Sequence, residues 1–360
     1  MKLKRIAAGF VAAGMAFAVF GTPLGDILPF VRESVATTAG AETYGDFEYI
    51  VLSDGTVEIS KYISSAKTVD IPASINGRRV TSIGNRAFDR CIFLTSITIP
   101  DSVMSIGDSA FACCPSLTSI TIPDSVTWIG EKAFCWCSAL TTIYVAEANK
   151  FYSSVDGVLF NKDKTELICY PPSKVDDSYN IPNSVTSIGD SAFDRCSSLK
   201  SITLPDSVTS IGDSAFEQCS NLKSITIPDG VTSIGWYAFC WCSSLTSITI
   251  SKGVTRIGHM SFCGCSSLTS ITLPAGITSI DYGAFSGCKS LTSIMLPDSV
   301  TSIGNSAFSD CNSSFVIRGN TNSEAERYAK DNNIIFKSAG YSVPVISAKS
   351  SYDIKIVDNN

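Results

Sequence analysis

The cysteines are the first residues to consider for chemistry, because this 360-residue chain contains fourteen of them and only one histidine. Thiolates bind metals and pair into disulfides, and an exported chain rich in cysteine ordinarily predicts a disulfide framework. Nine of the fourteen share one setting, three residues after a phenylalanine and, within each of two runs, 23 residues apart: Cys91, Cys114, Cys137, Cys196, Cys219, Cys242, Cys265, Cys288 and Cys311. This spacing indicates a structural repeat in which these cysteines are equivalent.

Equivalent residues of a stacked repeat lie directly above one another, about 5 Å apart. A disulfide prefers Cβ atoms ~3.8 Å apart, so we predict a ladder of buried free thiols that pack as small hydrophobic side chains. Disulfides and metal binding are the alternatives. The sharpest is a zinc site, in which Cys240, Cys242, Cys263 and Cys265 of neighbouring repeats would bring four sulfurs together. Their Cys-x-Cys spacing differs from the usual Cys-x₂-Cys, and we predict no metal.

Candidate catalytic residues are scarce. His259, in IGHMSF, lies where other repeats carry Asp, Asn, Glu or Trp, which favours a surface position over a general base. A Ser-His-Asp set can be assembled around it only by choosing partners freely among dozens of serines. The sequence also lacks a P-loop and a dinucleotide-binding fingerprint. We therefore predict a protein that is not an enzyme and uses no cofactor.

The repeat predicts the elements that position these residues. Its frame reads F-x-x-C-x-x-L-x-x-I-x-I-P-x-x-V-x-x-I-G-x-x-A, as in LTSITIPDSVMSIGDSAF at residues 94–111. The segment Leu-x-x-Ile-x-Ile alternates apolar and polar residues as a half-buried strand does, and the proline ends that strand. We expect Val-x-x-Ile-Gly to turn the chain, with the glycine at positive φ. One such coil cannot cover its own apolar residues, so successive coils must stack.

The ordered Pro, Gly, Ala-Phe and Cys positions resemble the BspA-like subclass of leucine-rich repeats over about residues 65–319. The resemblance implies a repeat solenoid, a right-handed coil with a parallel β-sheet that is mainly β. It also implies a secreted or surface protein of the kind abundant in anaerobic bacteria, with adhesion to host proteins or other cells in some members. A β-hairpin insert and terminal caps complete the expected fold.

The chain divides into five predicted segments. Residues 1–41 have the layout of a signal peptide, with basic residues, an apolar run at 6–20 and a small-residue triplet at 39–41, and an uncleaved anchor is the alternative. The other segments follow in order: an N-terminal cap hairpin at 42–65, repeats at 66–319 with a hairpin insert at about 147–180, a C-terminal cap helix and strand at 320–339, and a tail at 340–360. Both signal alternatives predict a secreted or cell-surface location.

The charge limits the partners. The formal net charge is −6 and no basic stripe exists to meet phosphates, so we predict no nucleic-acid partner. After signal cleavage, no apolar run long enough to enter a membrane is left. We interpret the insert as a structural spacer in preference to a binding element, a hairpin riding on the solenoid.

Surface candidates come from positions that the frame leaves free. Each strand carries an outward pair such as Ser96/Thr98 or Ser201/Thr203, which predicts a broad hydroxyl-lined sheet. Large residues where other repeats carry small ones are the candidate ligand-binding residues: Trp128, Trp136, Tyr144, Trp236, Tyr237, Trp241 and Tyr282. Trp136 and Trp241 share one frame position and are equally well explained as packing residues.

These observations predict a non-catalytic extracellular protein that mediates protein binding or adhesion to host or neighbouring-cell macromolecules. The expected partner is an extracellular protein of the host matrix or of another cell surface, with a glycan as the alternative. A carbohydrate-binding or structural cell-envelope role is the second hypothesis. Ice binding by a regular Ser-x-Thr array is the third.

Overall fold

The structure, a computed structural model, describes residues 40–339, so most of the predicted signal and all of the tail at 340–360 lie outside the described range. Eleven strands precede the insert: β1 (Glu42–Tyr44), β2 (Phe47–Val51), β3 (Val57–Tyr62), β4 (Thr68–Asp70), β5 (Ser74–Ile75), β6 (Arg78–Ile83), β7 (Ser96–Thr98), β8 (Ser105–Ile106), β9 (Ser119–Ile122), β10 (Trp128–Ile129) and β11 (Thr142–Val145). The insert adds three strands: β12 (Tyr152–Val155), β13 (Val158–Asn161) and β14 (Glu166–Cys169).

The later coils and the C-terminal cap contain the remaining elements. Twelve strands belong to the coils: β15 (Ser178–Asn180), β16 (Ser187–Ile188), β17 (Ser201–Thr203), β18 (Ser210–Ile211), β19 (Ser224–Thr226), β20 (Ser233–Ile234), β21 (Ser247–Thr249), β22 (Arg256–Ile257), β23 (Ser270–Thr272), β24 (Ser279–Ile280), β25 (Ser293–Met295) and β26 (Ser302–Ile303). The cap follows as β27 (Val316–Gly319), α1 (Glu324–Asp331) and β28 (Ile335–Ser338). The predicted parallel repeat solenoid, mainly β, is confirmed. Within residues 40–339, no helix is long and apolar enough to cross a bilayer.

Each coil contains two strands, where the sequence predicted one. The Leu-x-x-Ile-x-Ile strand pairs in parallel with its equivalent one coil away, as in Ser201↔Ser224 of β17 and β19. The Val-x-x-Ile segment is a second, two-residue strand and not only a turn, as in Ser187↔Ser210 of β16 and β18. We call the two layers the long-strand sheet and the short-strand sheet. In both layers an isoleucine points inward, and its neighbours along the strand point to solvent, since successive side chains of a strand alternate between its faces.

The frame glycine has a role other than the predicted positive φ. Gly107 and Gly235 do not have left-handed backbone, which occurs elsewhere in the coil, for example at Ser109 and Cys113. A Cβ on Gly107 would lie 2.5 Å from the backbone nitrogen of Asn85 in the preceding coil. The missing Cβ at Gly107 therefore lets the two coils approach closely there, although the coil with Asp281 at this frame position forms without glycine.

Phenylalanine and cysteine form two ladders along the stack. Phe193 and Phe216 stack with ring centroids 5.1 Å apart, and Phe216 and Phe239 at 5.2 Å. The thiol of Cys219 donates a hydrogen bond to the carbonyl oxygen of Phe193 at 3.1 Å. The same bond to the phenylalanine of the coil before is made by Cys114, Cys137, Cys242, Cys265, Cys288 and Cys311. Cysteine therefore fills a small apolar position and also links adjacent coils.

The insert separates two hydrophobic cores. Val158 and Phe160 of β13 pack into the core of the later coils, whereas Leu159 between them packs into the core of the earlier coils. The hairpin β13–β14 is thus buried on both faces, and β14 pairs in parallel with β16 of the short-strand sheet. β13 and β14 form a hairpin, as the sequence indicates, but this hairpin lies between the two cores and does not ride on the surface of the solenoid, because both faces of β13 are apolar. We call residues 47–145 the first block and residues 158–338 the second block.

Antiparallel and helical caps close the two ends. β2 and β3 form the predicted hairpin around Asp54-Gly55, and β3 then pairs in parallel with β6. At the other end, Ser323 caps α1 by accepting a hydrogen bond from the Glu326 backbone N–H, as its residue type at this position predicts. Tyr328 of α1 covers the last ring of the ladder, Phe308, edge-on at 5.8 Å.

Candidate binding surfaces

The long-strand sheet presents the predicted hydroxyl-lined face. Ser201 and Thr203 are exposed on either side of buried Ile202, and Ser224, Thr226, Ser247 and Thr249 continue the same two columns in register. Tyr144 interrupts the face at the end of the first block and is 56% exposed. Threonines outside the strands, such as Thr118 and Thr141, instead donate to the backbone of the preceding coil. These turn hydroxyls therefore have a structural role.

Three ring side chains in consecutive coils form a second surface. Trp236, His259 and Tyr282 each lie three residues before a repeat phenylalanine, where other coils carry Asp, Asn or Glu. His259 stacks on Tyr282 with centroids 5.3 Å apart, and Trp236 lies 6.0 Å from His259. Tyr237 lies beside them, its hydroxyl 2.9 Å from His259 Nε2. We call Trp236, Tyr237, His259 and Tyr282 the aromatic column.

Three members of the aromatic column, Trp236, Tyr237 and Tyr282, were predicted as candidate ligand-binding residues. The fourth, His259, was predicted only as a surface residue. Trp236 and Tyr282 are 49% and 46% exposed. His259 was missed because it was considered alone, although its frame position is that of Trp236 and Tyr282. Alignment of the ring-bearing residues by frame position would have found the group.

Trp136 and Trp241 combine packing with exposure. The Arg195 guanidinium lies over the Trp136 ring, with its central carbon 4.8 Å from the ring centroid, a cation–π contact. The Trp241 indole covers Gly264, where a Cβ would come within 2.7 Å of it. Both rings are still about half exposed, at 43% and 56%. They are anchored on one face and open to solvent on the rest.

A cleft of about 800 Å³ lies where the short-strand sheet is interrupted. We call it the junction cleft, and its rim includes Trp128 of β10, Phe151, and Glu166 of β14. β10 is the last strand of its sheet, and the Ile129 N–H there donates to the Tyr152 hydroxyl at 2.8 Å. Burial raises the pKa of Tyr152 to about 12, and burial followed by repulsion from Asp190 raises that of Glu166. Trp128 could be recognised from the sequence, whereas Phe151 and Glu166 reach the cleft only because they belong to the insert.

Burial makes most of the thiols unreactive, whereas the hydrogen bond with Cys240 lowers the pKa of Cys263 to about 7. All fourteen cysteines are free. Burial raises the pKa of Cys169 and Cys311 to about 12 and that of Cys196 well above its usual range, which keeps these thiols protonated and unreactive. Among residues 40–339, no cluster of three or more His, Cys, Asp or Glu side chains has the geometry to hold a metal ion.

Comparison with known proteins agrees with the repeat geometry. The family described as "BspA type Leucine rich repeat region (6 copies)" matches residues 57–174, 173–265 and 232–334. The chain belongs to the BspA-type leucine-rich repeat family. BspA-type repeats form a family that is typically non-catalytic. Among curated proteins, none matches the chain significantly.

The chain is also similar to solved structures of bacterial leucine-rich repeat proteins. A leucine-rich repeat protein from Eubacterium ventriosum is 26% identical, with a TM-score of 0.51 and coverage of 75% of this chain and 94% of its own. A leucine rich cell surface protein from Faecalibacterium prausnitzii is 28% identical, with a TM-score of 0.45 and coverage of 74% of this chain and 95% of its own.

Proposed function

We propose that the protein is a non-catalytic extracellular recognition protein that binds a protein on a host or neighbouring cell through the aromatic column. The observation that carries the proposal is the replacement of Asp, Asn or Glu by Trp236, His259 and Tyr282 in three consecutive coils. The fold does not need these rings, because the other coils form without them. Aromatic side chains of this kind dominate protein–protein binding energy.

The contacts within the aromatic column favour binding. His259 is held between its bond to the Tyr237 hydroxyl and its stack on Tyr282, so little side-chain freedom is left to lose on association. Polar groups border the rings, since Arg256 pairs with Asp281 at 2.6 Å. A half-exposed aromatic centre with a charged rim is the usual arrangement of a protein interface.

The extracellular location is part of the same proposal. It is supported by the basic residues, apolar run and small-residue triplet of residues 1–41, which are typical of a secretory signal. Family membership is consistent with it. Fractionation of the source cells with an antibody against the repeats would measure it directly.

The proposal is tested by interferometry of the full chain against extracellular-matrix proteins, mucins and surface proteins of neighbouring cells. The test variant is Trp236→Asp with Tyr282→Asn, which introduces the residues that occupy this frame position at Asp213 and Asn305. The control is Trp241→Gln, which introduces the residue found at Gln218. We expect saturable binding that the double variant weakens at least tenfold and the control less than twofold. Equal binding by the double variant would overturn the proposal.

A further inference from the structure

The junction cleft is a concave site that the aromatic column does not include. Its volume of about 800 Å³ is in the range of small-molecule sites. It exists because the hairpin β13–β14 restarts the short-strand sheet, so that β10 and β14 face each other without pairing. We propose that the junction cleft binds an uncharged oligosaccharide between the Trp128 and Phe151 rings and the serines of the second block. The proposal is independent of the protein-binding role of the aromatic column.

The aromatic rim provides apolar surface for sugar rings. Trp128 occupies the outward position of the short strand, where most coils carry serine, for example Ser105 and Ser187. It is 48% exposed, and Phe151 is also 48% exposed. Two large rings half open to solvent at one cavity are not explained by packing. Flat aromatic faces match the C–H faces of sugar rings.

Serine hydroxyls provide the polar wall. Ser187, Ser210 and Ser233 line the cleft at one frame position in successive, paired strands. Parallel strands lie about 4.8 Å apart, so the hydroxyls form a straight row along the stack. A hydroxyl both donates and accepts, as a sugar hydroxyl does. A row across three coils fits an extended oligosaccharide better than a single compact ligand.

The charges select the kind of oligosaccharide. Glu131, Glu166, Asp190 and Asp213 line the cleft, against Lys132 as the lining cation. Carboxylates accept strong hydrogen bonds from hydroxyl donors, whereas they repel sulfated or uronic sugars. Glu166 is partly buried beside Asp190, so hydroxyl donors from a ligand would satisfy it. A basic peptide is the competing occupant, and the test includes it.

The experiment exposes the purified full chain to an array of neutral, amino-sugar and acidic glycans, and then measures the strongest hit by calorimetry. Trp128→Ser is the test variant, because serine is the residue of the equivalent coils and should not disturb the fold. Ser210→Trp is a second variant, which fills the groove from its solvent face. Trp236→Asp is the control in the aromatic column. A library of lysine-rich and arginine-rich peptides is measured in parallel.

We expect saturable binding of an uncharged oligosaccharide, weakened at least tenfold by Trp128→Ser and by Ser210→Trp and less than twofold by Trp236→Asp. Loss of protein binding in Trp236→Asp with glycan binding retained would separate this site from the proposed function. Absence of glycan binding, preference for acidic glycans, or equal binding by both cleft variants would overturn the proposal. Binding of basic peptides alone, abolished by Trp128→Ser, would also overturn it in favour of a protein ligand.

Discussion

The protein builds the same hairpin twice, once at its N-terminal end and once between its blocks. β2–β3 and β13–β14 both carry a register shift at the same point, before Tyr49 and before Phe160. Each second strand continues in parallel into the short-strand sheet. A tyrosine at the end of β3 and another directly after β14 stack on the first phenylalanine of a block, Tyr62 on Phe88 at 5.3 Å and Tyr170 on Phe193 at 5.2 Å. The insert is therefore a second starting cap and not a simple spacer.

The two hairpins differ in the face that points away from their own block. The N-terminal hairpin pairs Glu48 with Lys61 there, and both contact solvent. The internal hairpin pairs Leu159 with Cys169 at the equivalent place, and both are buried in the core of the first block. The pair at this place is thus charged in the hairpin that faces solvent and apolar in the hairpin that joins two stacks.

The coil after each hairpin shows the same contrast. Both coils read AFDRC, with Asp89-Arg90 in the first and Asp194-Arg195 in the second. Asp89 is partly exposed, whereas Asp194 is only 3% exposed because the first block covers it. Burial, followed by repulsion from Glu217, raises the pKa of Asp194 to about 7 against the partial compensation of Arg195. Joining two blocks therefore places a carboxyl group in an unfavourable position.

The largest effect is expected from exchanging the outer faces of the hairpins. Leu159→Glu introduces the residue of Glu48 into the first-block core, where an unpaired carboxylate should lower the free energy of unfolding by at least about 4 kcal/mol. Glu48→Leu is the matched control and should change it by less than about 0.5 kcal/mol. Urea unfolding monitored by tryptophan fluorescence measures both. A small effect of Leu159→Glu would show that the internal hairpin does not separate two hydrophobic cores.

Removal of the buried carboxyl should have the next largest effect, in the stabilising direction. Asp194→Ala introduces the residue of Ala112, its equivalent in another coil. The raised pKa of about 7 means that the contribution of Asp194 is fully present below the unfolded pKa near 4 and is lost as pH rises through 7. The free energy of unfolding of Asp194→Ala relative to that of the parent should therefore be higher at pH 8 than at pH 4, by up to about 4 kcal/mol.

Asp89→Ala is the control for this prediction, because Asp89 occupies the same place at the open end. Because Asp89 contacts solvent, its replacement should change the free energy of unfolding by less than about 0.5 kcal/mol. Thermal unfolding of the four proteins, the parent, each single variant and the double variant, at both pH values measures the difference. If Asp89→Ala and Asp194→Ala behave alike, burial by the first block is not the cause.

The sequence predicted the repeated parts of the fold well and the junction poorly. The 23-residue frame identifies the strand at Ser201–Thr203 and the inward cysteine at 219, because one pattern decides the environment of every coil. The frame did not show that the hairpin β13–β14 separates two cores. VLF at 158–160 reads as one apolar strand, and only the tertiary structure shows which core each residue enters. The second strand of the coil was also missed because two residues are too short for a period.

The candidate surfaces followed the same rule. Trp128 and Trp236 could be found from sequence because they break a column of equivalent residues. Phe151 and Glu166 lie in the insert, where no column exists for comparison. Glu166 reaches the junction cleft through the parallel pairing of β14 with β16, which no repeat position in the sequence reveals.

The hairpin turns provide a smaller test of the same comparison. Gly157 and Gly55 both follow an aspartate and both have left-handed backbone, with φ of +78° and +81°. Alanine at either position should lower the free energy of unfolding by about 1 kcal/mol, because left-handed backbone strains a residue that has a Cβ. A Cβ at Gly157 would also lie 2.9 Å from Thr142 Cγ2, whereas at Gly55 the nearest atom is 3.7 Å away. Gly157→Ala should therefore lower the free energy of unfolding by a further ~1–2 kcal/mol.

Thr142→Ser removes the conflicting methyl group and completes a double-mutant cycle. In the Gly157→Ala background, we expect Thr142→Ser to recover the additional stability that was lost. In the Gly55→Ala background, we expect it to leave the effect of the alanine unchanged. If Thr142→Ser rescues neither or both, the internal turn is not constrained by β11 of the first block. Denaturant midpoints at constant slope are sufficient for this comparison.

The smallest effect is expected at the glutamate that begins each short-strand sheet, Glu58 in β3 and Glu166 in β14. Burial raises the pKa of both; the Ser82 hydroxyl, which donates to Glu58 at 3.1 Å, opposes the shift there, whereas Asp190 reinforces it at Glu166. A raised carboxyl pKa contributes stability below the unfolded pKa near 4.3, which is lost as pH rises through the folded pKa. Glu166→Gln should therefore raise the melting temperature more at pH 7 than at pH 4, and Glu58→Gln should do so less. The reverse order would mean that the open end desolvates its glutamate more than the junction does, against the comparison of the two hairpins.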